Sequence, residues 1–149
     1  MSMDERYGTR DLTFSTWHRY ALPARATAID LDLIEYCQRC RMPLCLIESA
    51  RDIGQDSKPT IVLQELAKIA NVVAICVLYT PDGTRCLCRH GRIADGCTHG
   101  ISSFRVRQVH PADEPFETWQ PWELAVWLTT QHDNHEGAVC QYKREVFAG

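Results

Sequence analysis

The run Ala28-Ile29-Asp30-Leu31-Asp32-Leu33-Ile34-Glu35-Tyr36-Cys37 is followed by the polar tip Gln38-Arg39-Cys40-Arg41 and then by Pro43-Leu44-Cys45-Leu46-Ile47-Glu48. The first segment alternates apolar and polar side chains over its first half, the period-two pattern of a half-buried strand. The second is a short apolar run, and the tip between them folds one back on the other as a hairpin. In an antiparallel pair, opposed residues have a constant index sum and point to one face. A turn centred on Cys40 therefore sets Asp32 opposite Glu48 and Asp30 opposite Ala50, with Glu35 on the other face. A slip of one residue would undo the arrangement, because it turns every side chain of a strand to the opposite face.

Residues 59–70 open with proline and carry apolar residues at 62, 63, 66, 67 and 70, which predicts an amphipathic helix. Residues 72–80 are β-branched and apolar, as a central strand covered on both faces requires, and Pro81-Asp82-Gly83-Thr84 is a turn. Residues 85–90 and 102–109 read as further strands flanking a loop rich in cysteine and histidine. Residues 121–130 read as a helix started by proline. This order predicts an α/β or α+β fold over 1–149, a single domain with a central mixed sheet and flanking helices.

The chain has 149 residues, of which 45% are hydrophobic and 23% charged, enough apolar side chains for one core and too ordered a composition for a disordered tail. Its net charge of −3 gives no global basic field, so contact with nucleic acid has to rest on a local patch. Arg85, Arg89, Arg92, Arg105 and Arg107 concentrate positive charge in the middle and later chain; they suit a phosphate track or a solvated face equally. The opening Met1–Arg6 is polar, and the longest apolar run, 72–79, falls far short of the roughly 20 residues of a membrane span. A cytoplasmic protein without a membrane anchor is expected. Neither a G-x-x-x-x-G-K-[ST] loop nor a G-x-S-x-G elbow occurs, which removes those enzyme classes.

Like charges opposed on a sheet destabilise it unless something compensates. A hard divalent cation with oxygen ligands, Mg²⁺ or Mn²⁺, is one answer for Asp30, Asp32 and Glu48. A solvated strand edge, its acids deterring aggregation, is the other. With the runs 30–36 and 43–48 on the page, the chain resembles the PD-(D/E)XK nuclease-like superfamily, and most of all small phage and prophage proteins reading D-I-D-x-x-E-Y … P-x-x-x-I-E. The resemblance covers roughly residues 17 to 80 and implies a restriction-endonuclease-like core. It further implies Mg²⁺ held by Asp32 or Asp30 together with Glu48, hydrolysing a phosphodiester of nucleic acid with help from a lysine. That lysine belongs two residues after the glutamate, where this chain has Ala50. Lys58 is the nearest candidate to take its place. The alternative is a catalytically degenerate phage-type protein, stabilised by zinc, that binds DNA or another protein.

Without an export route, cysteine pairs more often mean metal ligands or buried small hydrophobes than disulfides. Cys37-Gln38-Arg39-Cys40 is half of a tetrahedral Zn²⁺ site at the hairpin tip. The other half is expected from Cys86, Cys88, His90, Cys97 or His99. Cys45 and Cys76 read as core. Trp17-His18-Arg19 reads as packing more readily than as a phosphate contact, and His132 and His135 read as surface residues.

Overall fold

The computed structural model describes residues 13–89, 92, 94–138 and 140. These fall into two compact units, one within Met1–Asp30 and one within Leu31–Gly149. The first contains α1 (Thr13–Ala21), a helix in a segment whose sequence reading had no secondary structure. The second unit is an α+β fold, with elements in the order β1 (Leu33–Tyr36), β2 (Pro43–Arg51), α2 (Ile61–Ala70), β3 (Val73–Pro81), β4 (Ile101–His110), β5 (Glu117–Trp119) and α3 (Pro121–Ala138). The strands form one mixed sheet in chain order, in which β2 and β3 run parallel across the α2 crossover and the other neighbours are antiparallel. No helix among the described residues is long and apolar enough to cross a membrane.

The β1–β2 ladder pairs Leu33 with Ile47, Ile34 with Leu46 and Glu35 with Cys45, the index sum predicted for a turn at Cys40. Tyr36 pairs with Pro43 through an irregularity beside the turn. The strand is shorter than expected: the ladder starts at Leu33, so Asp30 and Ala50 do not pair within it. Instead the Asp32 carboxylate accepts the Ser49 amide at 2.8 Å, a side chain taking the place of a backbone acceptor just outside the last rung.

Alternation along β2 and β3 sorts the core onto two faces. Leu46, Ala74, Cys76 and Leu78 pack under Leu63 and Ala67 of α2, with Val109 from β4. Cys45, Ile47, Ile75, Val77 and Val106 pack against Leu124, Trp127 and Leu128 of α3. β3 is thus covered on both faces, as its continuous apolar run predicts. α2 ends at Asn71, whose left-handed backbone lets its own amide donate to the Lys68 carbonyl and the Val72 amide return to the Ala67 carbonyl.

Three expectations change. Residues 85–89 are not a strand; only Arg89 and Arg92 form an isolated bridge, and His90 lies outside the described residues. β5 pairs Phe104 with Trp119 in a segment whose sequence reading contained no strand. Most consequentially, α3 runs on to Ala138, well past residue 130.

Candidate functional sites: a carboxylate–lysine end and two thiol clusters

β2 and β3 are parallel, so the loops that follow them leave the sheet at the same end. The loop after β2 carries Lys58 back over its own strand. Its ammonium lies 2.5 Å from Oε1 of Glu48 and donates to the Ser49 carbonyl at 3.1 Å. Ser49 in turn gives its amide, and its hydroxyl at 3.4 Å, to Oδ2 of Asp32. The half-buried Glu48 and Lys58 thus meet at Ser49, where Asp32 is anchored. Cys76, opposite Glu48 in the parallel register, lies beneath them. Burial raises its thiol pKa, with the charges of Lys58, Glu48, Arg107 and Asp32 all acting on it. The structure therefore brings Asp32, Glu48 and Lys58 together. Asp30 belongs to the first unit, where it lines a groove with Phe14, His18 and Arg19.

Two of the arginines read as a phosphate track are engaged elsewhere. Arg105 makes a two-pronged contact with Asp52, 2.7 Å on each side, and a third bond to the Gln55 carbonyl at 2.9 Å. Those Arg105 bonds, and then the Gly54 amide, hold the Asp52 carboxyl down at about 2. Arg107 binds Asp113 at 2.5 Å, and both guanidinium groups lie over the Phe116 ring. They brace the β4 side of the sheet.

The cysteines divide into three sets. Cys45 and Cys76 are fully buried, as expected, and burial pushes the Cys45 thiol up to about 12, leaving both inert. Cys37 and Cys40 meet His135 and Cys140, all four donor atoms within 4.8 Å of one another. Cys37 Sγ is 3.8 Å from Cys140 Sγ, and Cys40 Sγ is 3.1 Å from Nε2 of His135. The Cys40 amide above all draws the Cys37 thiol down to about 6, against the opposing effect of burial. Its partner half is thus the end of α3 and not Cys86 or Cys88. The sequence reading missed this because it ended α3 at residue 130 and placed His135 on the surface, whereas His135 is buried. Cys140 is a fourth donor it did not consider. His132, also read as surface, joins the same seam by pairing with Glu35 at 2.8 Å.

The third set, Cys86, Cys88, Cys97 and His99, forms a second cluster in the loop between β3 and β4. The spacing C-x-C … C-x-H is the signal that marks it as self-sufficient. Either set of three thiols and an imidazole can hold a metal such as zinc. Comparison with family models, with curated proteins and with solved structures gives no match for this chain.

Proposed function

We propose that this chain is a cytoplasmic, Mg²⁺-dependent phosphodiesterase acting on nucleic acid, with Asp32 and Glu48 as metal ligands, Lys58 as the group that handles the attacking water, and zinc at Cys37, Cys40, His135 and Cys140 as a staple. The observation that carries it is the seating of the Lys58 ammonium on Glu48 beside the anchored Asp32. It speaks to the departure at Ala50, because a lysine from the next loop reaches Glu48 itself. The donor set fits a hard cation: the contacts above use Oε1 of Glu48 and Oδ2 of Asp32, and each carboxylate has a second oxygen to offer. When bound, Mg²⁺ supplies polarisation of the scissile phosphate. Lys58, as an ammonium, would orient the attacking water by donating to it; the water's proton would pass to solvent as the P–O bond to the new hydroxyl forms, and the leaving oxygen would be protonated from solvent as its bond to phosphorus breaks. Thiol ligands require a reducing compartment, which supports the cytoplasmic assignment.

Incubation with plasmid and single-stranded DNA tests the reading. Cleavage is expected with Mg²⁺ or Mn²⁺, none in chelator, and a loss of about 100-fold or more in Glu48→Ala. Intact DNA across metals and pH removes it. One observation favours a second reading: the Lys58 ammonium already neutralises Glu48 without any cation. On that reading the protein is catalytically degenerate and zinc-stabilised, and binds DNA or a protein without cutting.

A further inference from the structure

We propose that the loop 82–100 is a second zinc unit, independent of the Cys37 cluster, which holds Arg85, Arg89 and Arg92 as a phosphate-contacting element at the Glu48 end of the sheet. Tetrahedral zinc with bonds of about 2.3 Å to sulfur and about 2.0 Å to nitrogen separates two sulfurs by about 3.8 Å and a sulfur from a nitrogen by about 3.5 Å. In this loop, Cys86 and Cys97 sulfurs stand 3.8 Å apart, and Cys86 Sγ is 3.5 Å from Nδ1 of His99. A disulfide, at about 2.05 Å, is a different geometry. The amides around the cluster point the same way. Ala94 donates to Cys88 Sγ at 3.2 Å and His99 donates to Cys97 Sγ at 3.3 Å, the orientation that stabilises thiolate ligands.

The loop is also shaped for the purpose. Gly96, His99 and Gly100 adopt positive φ, which wraps the backbone round the Cys97–His99 arm. At its base Asp82 takes the Thr84 amide at 2.8 Å and the Thr98 hydroxyl, and the Asp82 amide binds the Gly100 carbonyl at 3.0 Å. The two ends are therefore pinched together before the four ligands begin. Independence from the other cluster follows from topology. Cys37 and Cys40 lie where β1 turns into the start of β2, whereas this loop leaves the finish of β3, at the opposite end of the parallel pair.

The arginines give the unit its ligand class. Arg85, Arg89 and Arg92 are all exposed, and the reciprocal amide–carbonyl bonds of the Arg89–Arg92 bridge hold two of them side by side. Arg105 and Arg107 are held by acids, whereas this loop, together with Arg51 at the finish of β2, presents guanidinium groups to solvent at the end from which Lys58 arises. The partner class, nucleic acid, rests on the phosphodiesterase reading; the zinc assignment does not.

Zinc content of the purified full chain and its binding to a fluorescein-labelled 30-nucleotide single strand, with no Mg²⁺ added, test both parts without any catalysis. Two zinc ions per chain are expected, falling to one in Cys86→Ser/Cys97→Ser and to a different one in Cys37→Ser/Cys140→Ser. The surface variant Arg85→Ala/Arg89→Ala/Arg92→Ala is expected to keep both ions while the slope of log affinity against log salt falls by about 2–3, one counterion-releasing contact per arginine. One zinc in the wild type, or an unchanged zinc count in Cys86→Ser/Cys97→Ser, overturns the site. An unchanged slope in the arginine variant, or no binding at low salt, overturns the phosphate role. Binding here, combined with DNA left intact across metals and pH in the cleavage assay, removes the catalytic reading and leaves this one standing.

Discussion

At Glu48 a carboxylate meets an ammonium 2.5 Å away, and the balance of that pair decides what the end of the sheet can hold. Removing Lys58 leaves Glu48, with Asp32 anchored nearby on the Ser49 amide, without its ammonium. Lys58→Ala is therefore expected to bind Mn²⁺ about tenfold more tightly, since one unit charge at a few ångströms is worth at least about 1 kcal/mol near a surface. Calorimetric titration reads the gain, and nuclease activity is expected to fall in the same variant. Unchanged Mn²⁺ affinity would take Lys58 out of the site. Asp52 carries a different consequence. Its folded carboxyl sits at about 2, below the ordinary 3.8, so the Arg105 contact stabilises the fold above 3.8 and is lost as pH falls from 3.8 towards 2. Asp52→Asn is expected to be less stable at neutral pH by about 1 kcal/mol, the partly exposed pair being screened by water. That difference should close over the same acid range in urea titrations. A gap that persists at pH 2 would point to packing and not to charge.

Elements were legible where one physical rule dominated them. The β1–β2 register followed from alternation plus the turn at Cys40, and β3 from an unbroken apolar run between a helix and a Pro-Asp-Gly turn. Elements held by polar or metal-ligand groups were not legible. The last third of α3 has no apolar stripe to announce it; what ties it down is His132 on Glu35 and His135 beside Cys40, pairs distant in sequence. At the carboxylate–lysine end, the index sum set Asp32 one rung beyond Leu33–Ile47, where the ladder stops and Asp32 turns to the Ser49 amide; Lys58 was the nearest lysine along the chain. The partner half of the Cys37 cluster depended on where α3 ended, which periodicity could not tell. The close of α2 offers a check on local reasoning. Asn71 holds φ at 54°, a conformation that costs a residue with a Cβ and no local polar bond about 1 kcal/mol. Asn71→Ala is expected to lower stability by that amount and Asn71→Gly to leave it nearly unchanged, as measured by urea midpoints. Equal losses in both would locate the role of Asn71 in its side chain and not its backbone.

Across the second unit, all eight cysteines have a place: three in each four-ligand cluster and two in the core. On the proposed zinc reading, this division separates metal-held thiols from packed ones by mechanism, because chelation exposes the first and only unfolding exposes the second. Cys45 and Cys76 lie on neighbouring strands but on opposite faces, each fully buried, with thiols pushed away from the reactive thiolate form. They stay protected as long as the sheet and its helices remain packed. Alkylation of the zinc-loaded protein with iodoacetamide, read by mass spectrometry after proteolysis, is expected to label few sites. With a strong chelator present, six sites are expected to react. The exposed Cys86 cluster should react before the buried Cys37 cluster, since the chelator reaches the loop without opening α3. Cys45 and Cys76 should react only in denaturant. Loss of the Cys37 ion should also lower the thermal midpoint by several degrees, because it frees the end of α3 from β1, and each kcal/mol shifts a chain of this size by about 2–4 °C. The loop ion should change the midpoint far less. Simultaneous labelling of all eight cysteines on chelation would mean that the Cys37 ion holds the whole sheet together and not only one helix end.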